Sequence, residues 1–102
     1  MAYFEQLRAA SRQRDSLLCI GLDPEPSRIL AGAEDALEHC STVVDKTTDV
    51  ACCYKPNAAF WEQYGPAGWD VLARLRDRIP DDLPVLFDVK LADVGHTMHA
   101  YA

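Results

Sequence analysis

The sequence predicts an α/β fold built on a parallel sheet, and three observations predict it. Short apolar runs at 17–22, 50–54 and 84–87 alternate with stretches whose apolar residues recur at helical spacing. The first run is apolar almost throughout, as in a strand covered on both faces. Every run breaks into charge, proline or both. Strands alternating with amphipathic helices call for parallel pairing and right-handed crossovers.

Residues 2–13 read as a short amphipathic helix, with Phe4, Leu7 and Ala10 three apart, interrupted by Asp15-Ser16. Strand one is Leu17-Leu18-Cys19-Ile20-Gly21-Leu22, stopped by Asp23-Pro24-Glu25-Pro26. A second helix spans about 33–48, with Ala33, Leu37, Cys40 and Val44 on one face. Glu34, Asp35 and Glu38 favour the positive end of its dipole, and Lys46 its negative end. Strand two is Val50-Ala51-Cys52-Cys53-Tyr54, followed by Lys55-Pro56-Asn57. Ala58 to Tyr64 is helical, Gly65-Pro66 breaks or restarts it, and Trp69 to Arg78 is helical again with Val71, Leu72, Leu75 and Ile79 inward. Trp61, Tyr64 and Trp69 read as packing between helix and sheet. Pro84 opens a third strand, where a missing N–H is tolerated. Gly95 to Ala102 begins another helix.

A chain of 102 residues makes one small domain, 1–102. Its net charge of -6 argues against nucleic acid or an anionic membrane as a non-specific partner, while leaving room for a small phosphorylated ligand at a local basic site. No apolar run approaches the roughly 20 residues of a membrane span, and the N-terminus lacks a signal-peptide layout. Cys19, Cys40, Cys52 and Cys53 lack Cys-x-x-Cys spacing and read as small buried hydrophobes, which suits a reducing cytoplasm. His96 and His99 are too few to make a metal site by themselves, and His39 reads as an exposed helix residue.

In a parallel sheet the charges that end the strands share one edge. Asp23 follows strand one, Lys55 follows strand two, and Asp88 and Lys90 follow strand three. That carboxyl edge is where ligands bind in open α/β sheets and in (β/α) barrels. Taken singly the residues have plain readings: Asp23 a turn former, Lys55 a solvated loop lysine, Asp88 and Lys90 a structural ion pair, Asp93 a helix cap. Their common edge favours a site. Alternating carboxylates and lysines hold one another ionised, and a lysine between carboxylates is a positioned proton donor. A carboxylate beside an anionic substrate group disfavours the ground state until that charge migrates or leaves. Loss of CO2 with protonation of the carbanion fits. So does proton transfer on an enediolate with a metal on the carboxylates.

Three segments resemble a known family. Gly21-Leu22-Asp23-Pro24-x-Pro26, Tyr54-Lys55-Pro56-Asn57-Ala58-Ala59-Phe60 and Asp88-x-Lys90-x-x-Asp93-Val94-x-x-Thr97 look like the first three strand ends of the orotidine 5′-phosphate decarboxylases, over about residues 16–102. The resemblance implies a (β/α)8 TIM barrel, of which the chain holds the first three βα units after a short N-terminal helix. It implies that Asp23 binds the ribose hydroxyls of orotidine 5′-phosphate and that Lys55 joins the charge network and touches the ribose. Asp88 would face the substrate carboxylate and Lys90 protonate C6 after CO2 leaves, giving UMP. Asp93 and Thr97 would reach the neighbouring site of a homodimer. The family uses no metal or organic cofactor. A full barrel takes roughly 250 residues, so the expectation is an N-terminal portion, inactive alone, in the cytoplasm. Asp-x-Lys-x-x-Asp is also shared with Mg-dependent sugar-phosphate decarboxylases and hexulose-phosphate synthases, which remain an alternative. A non-catalytic barrel piece that assembles with another chain is a further one.

Overall fold

The computed structural model describes residues 2–25 and 32–89. In chain order these form α1 (Tyr3–Arg14), β1 (Cys19–Leu22), α2 (Gly32–Thr47), β2 (Cys53–Pro56), α3 (Ala58–Glu62) and α4 (Pro66–Arg78). The expected helix from Gly95 lies outside the described residues, as do Lys90, Asp93, His96, Thr97 and His99.

Local chemistry explains the helix ends. Asp15 adopts the left-handed conformation (φ 48°, ψ 52°) that Asp tolerates better than most residues. The N–H groups of Asp15 and Ser16 then close on the carbonyls of Arg12 and Ser11. At the other junction Gly65 takes φ 64°, and Pro66 follows at the first position of α4, where its missing N–H costs nothing. The restart foreseen at Gly65-Pro66 therefore sets the start of α4, three residues before Trp69.

β1 and β2 pair in parallel, Cys19 opposite Cys53 and Leu22 opposite Pro56. The expected third strand is present only as two isolated bridges, Tyr54 to Val85 and Asn57 to Asp88. Both keep the same register. Tyr54 N–H donates to Pro84 C=O, Leu86 N–H to Tyr54 C=O, Asp88 N–H to Pro56 C=O and Ala58 N–H to Asp88 C=O. The rung between these pairs would run from the N–H of residue 56 to Leu86 C=O. Residue 56 is proline and has no N–H, so the ladder splits there.

Among the described residues, one face of the sheet is covered. Leu22 and Tyr54 are buried in a core with Leu37, Cys40 and Val44 of α2, Trp61 of α3 and Val71 and Leu75 of α4, and Ile20 and Val85 pack against it. α2 and α3 both pack on α4. Cys19 and Gly21 alternate onto the opposite face and are exposed. Among the described residues nothing covers this second face of β1, and Leu17 is 92 % exposed. Trp61 is fully buried. Trp69 is 44 % exposed and meets the Phe87 ring edge-on.

α1 lies across the amino ends of the strands. Arg14 Nε donates to Thr48 C=O at 2.8 Å, and its guanidinium pairs with Asp82 at 3.0 Å. Gln6 Nε2 donates to Asp81 C=O and Ser16 Oγ to Val50 C=O. All four acceptors precede β2 or the third segment. The polar contacts of α1 therefore close the amino end and leave the carboxyl end open. No described helix is long and apolar enough to cross a membrane.

Two stability outcomes follow from this packing. A Cβ on Gly68 would stand 1.9 Å from the Trp61 carbonyl oxygen, where α4 crosses α3. Gly68→Ala is expected to cost about 1–3 kcal/mol in urea unfolding, whereas Gly21→Ala, whose Cβ meets nothing nearer than 3.6 Å, stays within about 0.5 kcal/mol. The Arg14 guanidinium holds the Asp82 carboxyl below its ordinary value. A depressed carboxyl stabilises the fold above its unfolded-state value and loses that stability as pH falls through the folded one. The urea midpoint is expected to drop on acidification from about pH 5 to about pH 3, with less than about 1 kcal/mol due to this half-exposed pair. Asp82→Asn should remove that part of the slope.

Candidate active site

The carboxyl end of the sheet gathers the residues that the sequence singled out and that lie within the described chain. Leu22 is paired with Pro56, so Asp23 and Asn57 stand next to one another one step beyond. Asn57 is in turn bridged to Asp88. Asp23, Asn57 and Asp88 thus form a row across three adjacent chain segments, one residue past the last β1–β2 pair. Lys55 lies two rows below, opposite Gly21, within β2 rather than after it. Alternation by two puts Lys55 and Asn57 on the same face of the sheet, the face without the helix core.

Side chains take over where the backbone ladder ends. Asn57 N–H donates to Asp23 Oδ1 at 3.1 Å. Leu22 C=O, the last of β1, accepts from the buried Trp61 Nε1–H at 3.0 Å. Gln63 Nε2 donates to Pro24 C=O at 3.0 Å, tying the turn after β1 to the end of α3. Asn57 also caps α3, its Oδ1 accepting from Ala59 N–H at 3.1 Å, while Ala58 N–H is taken by Asp88 C=O. A single asparagine therefore ends β2, starts α3, and holds the carboxylate that ends β1.

Asp23 is exposed, and Lys55, Asn57 and Asp88 are half-buried, so the row is open to a ligand. The Asp23 charge is also felt on the other side of the sheet. Burial, and then the negative charge of Asp23, push the Cys40 thiol of α2 up to about 12. Among the described residues no group of three or more His, Cys, Asp or Glu side chains is arranged to hold a metal ion. The sites expected of Lys90, Asp93 and Thr97 lie outside the described residues.

The sequence reading placed Asn57 inside a motif without giving it a task, and it passed over Trp61 and Gln63 as binders of the strand end. Asn immediately before a helix is a cap signal that was available for the first. Nothing in the spacing of Trp61 announces that its indole N–H would meet Leu22 C=O, because that contact spans 39 positions.

The family model described as "Orotidine 5′-phosphate decarboxylase / HUMPS family" matches residues 16–102. An orotidine 5′-phosphate decarboxylase of Roseiflexus castenholzii is 44 % identical over all of this chain, which covers 39 % of that protein. One of Thermomicrobium roseum is 42 % identical, again over all of this chain and 38 % of its own length. The solved structure of Leishmania donovani OMP decarboxylase superposes with a TM-score of 0.79 at 38 % identity, covering 100 % of this chain and 38 % of that one. The chain thus spans about two fifths of the length of the curated relatives. The likeness to these structures makes its fold the matching part of a (β/α)8 barrel. The chain belongs to the family.

Asp23→Ala is expected to leave the Asn57 amide without its acceptor. Hydrogen exchange at that amide should quicken, with a stability loss of about 1 kcal/mol. Asp23→Asn, which keeps an acceptor oxygen, should retain most of the protection. Unchanged exchange in Asp23→Ala would show that the bond does not hold the strand end.

Proposed function

From membership of the orotidine 5′-phosphate decarboxylase / HUMPS family, we propose that residues 1–102 are the part of an orotidine 5′-phosphate decarboxylase that carries its charged catalytic segment. The reaction is conversion of orotidine 5′-phosphate to UMP and CO2. The observation that carries this reading is the row Asp23–Asn57–Asp88 at one sheet edge, followed in sequence by Lys90, Asp93 and Thr97.

The roles assigned are those that resemblance to the family implies, and the charges and positions of the described residues are compatible with them. Asp23, exposed and anchored through one oxygen to Asn57, offers its other oxygen to the ribose hydroxyls. Lys55, two rows below on the same face, supplies positive charge beside them. Asp88 faces the carboxylate of the substrate. Two like charges in proximity raise the energy of the bound ground state, and the repulsion disappears as CO2 departs. The bond from C6 to the carboxyl carbon breaks, the electron pair stays on C6, and Lys90 delivers a proton there. Lys90 has no other carrier of that proton to compete with it in the Asp-x-Lys-x-x-Asp segment. Asp93 and Thr97 complete the site of a second copy in a homodimer, and the protein works in the cytoplasm. No metal or organic cofactor is required for this chemistry.

The same segment also fits a Mg-dependent sugar-phosphate lyase, which the breadth of the family description favours as the second reading. Gly21-Leu22-Asp23-Pro24 and Lys55-Pro56-Asn57 in this order favour the orotidine branch. Loss of activity on adding a chelator would favour the other.

The 102-residue chain, assayed alone with orotidine 5′-phosphate, is expected to release no CO2 above a Lys90→Ala control, because remote phosphate contacts supply much of the binding energy of such a reaction. Release above that control overturns the expectation. In protein extended to the length of the relatives, Lys90→Ala is expected to lower kcat by at least about 10²–10⁴, and near-normal turnover without Lys90 would sink the assignment.

A further inference from the structure

The turn after β1 is gripped by α3 on both sides of Asp23. Leu22 C=O, in the peptide unit that leads into Asp23, accepts from Trp61 Nε1–H at 3.0 Å. Pro24 C=O, in the peptide unit that follows Pro24, accepts from Gln63 Nε2 at 3.0 Å. The same amide nitrogen donates to Phe60 C=O, which fixes the Gln63 side chain to α3. Between the two anchored peptide units the backbone has little freedom. The Pro24 ring sets φ near about −65°, and a residue that precedes proline is confined to extended conformations. The carboxylate is then held at its tip, because Asn57 N–H donates to Asp23 Oδ1. Its second oxygen stands over Gly21, 3.6 Å from where a Cβ would be, and Gly21 is the register partner of Lys55. Trp61 belongs to the core between sheet and helices. Neither bond to the turn therefore rests on the face of the sheet that the rest of a barrel would cover. Both donors meet backbone carbonyls, so their effect on a ligand passes through Asp23.

We propose that Trp61 and Gln63 are positioning residues for the Asp23 carboxylate, and that through it they set how strongly the site selects a nucleotide with intact ribose hydroxyls. The proposal rests on the reading of Asp23 as the ribose-binding carboxylate of an orotidine 5′-phosphate decarboxylase. A hydrogen bond to a sugar hydroxyl needs its acceptor at a set distance and angle. A carboxylate on a restrained turn meets that need without being ordered by the ligand, and the ordering cost avoided appears as affinity. Removing an anchor frees the turn, and the free oxygen of Asp23 spends less time where the hydroxyl binds. Asp88 is spared, because the segment that carries it is tied to β2 by its own backbone bonds. The loss therefore falls on binding of the ribose, and KM rises while kcat changes little.

The test uses protein extended to the length of the relatives, with orotidine 5′-phosphate and its 2′-deoxy and 3′-deoxy analogues as substrates. Gln63→Met keeps the reach of the side chain and removes the donor, and Gln63 is exposed, so the fold is retained. Its KM for orotidine 5′-phosphate is expected to rise about threefold to tenfold, the equivalent of one lost hydrogen bond. That loss should vanish with an analogue lacking the hydroxyl that Asp23 binds. It should also vanish when Gln63→Met is added to Asp23→Ala, because the two residues act as one unit. Trp61→Phe, which keeps a ring without its N–H, should behave as Gln63→Met does, and Gln63→Met decides the matter if Trp61→Phe fails to fold. An equal loss with all three substrates, an undiminished further loss in the Asp23→Ala background, or no loss at all would each overturn the positioning role while leaving Asp23 on the ribose. Asp23→Ala that falls equally on all three substrates, or an unsubstituted protein without turnover, would instead overturn the reading of the site and the proposal with it.

Discussion

The parallel register between β1 and β2 is the constraint on which the rest depends. Setting Cys19 opposite Cys53 and Leu22 opposite Pro56 decides which residues share a face and which residues end the strands together. Ile20, Leu22 and Tyr54 turn to the helices, while Cys19, Gly21 and Lys55 turn away. A slip by one residue would send each of these sets to the other side. Asp23 would then lose Asn57, and Leu22 would lose its place in the core. The third segment inherits its register from β2, so Asp88 arrives beside Asn57 without any direct pairing to β1.

The strand ends are held by an exchange of bond types. Buried or half-buried backbone groups must find partners. At the end of β1 those partners are side chains: the Trp61 indole for Leu22 C=O, and the Asp23 carboxylate for Asn57 N–H. A ladder continued by backbone bonds alone would leave Asp23 free to wander. Here the carboxylate is itself part of the pairing, fixed through one oxygen with the other disposable. Pro56 acts in the opposite sense. It removes one rung toward the third segment, so the segment that carries Asp88 is held to β2 by bonds on either side of a gap.

The ends of the sheet are treated unequally. Arg14, Gln6 and Ser16 bind backbone carbonyls and Asp82 at the amino end, while Asn57, Trp61 and Gln63 organise the carboxyl end from below. The first closes an end of the sheet. The second braces an edge whose charged side chains remain open to a ligand.

Much of this was legible in the residues. Helical spacing located α2 within a residue at either end, because Leu37, Cys40 and Val44 repeat on one face whatever they pack against. Motif order and parallel pairing put Asp23 and Asp88 on one edge, since in a parallel sheet every strand end points the same way. Three things needed the folded chain. Composition could not say which face of β1 meets the helices, because an apolar run marks affinity for a cover and not its side. Pro56 looked like the end of a strand, and only the register showed that its missing N–H splits the next ladder while its own strand continues. Asn57 became the joint between Asp23 and Asp88 because segments more than thirty positions apart in sequence were brought side by side. Sequence alone determined which chemical groups stand at the strand ends, since periodicity and charge are local. Which of those groups touch was decided by register, which is a property of the pair of strands and of neither one.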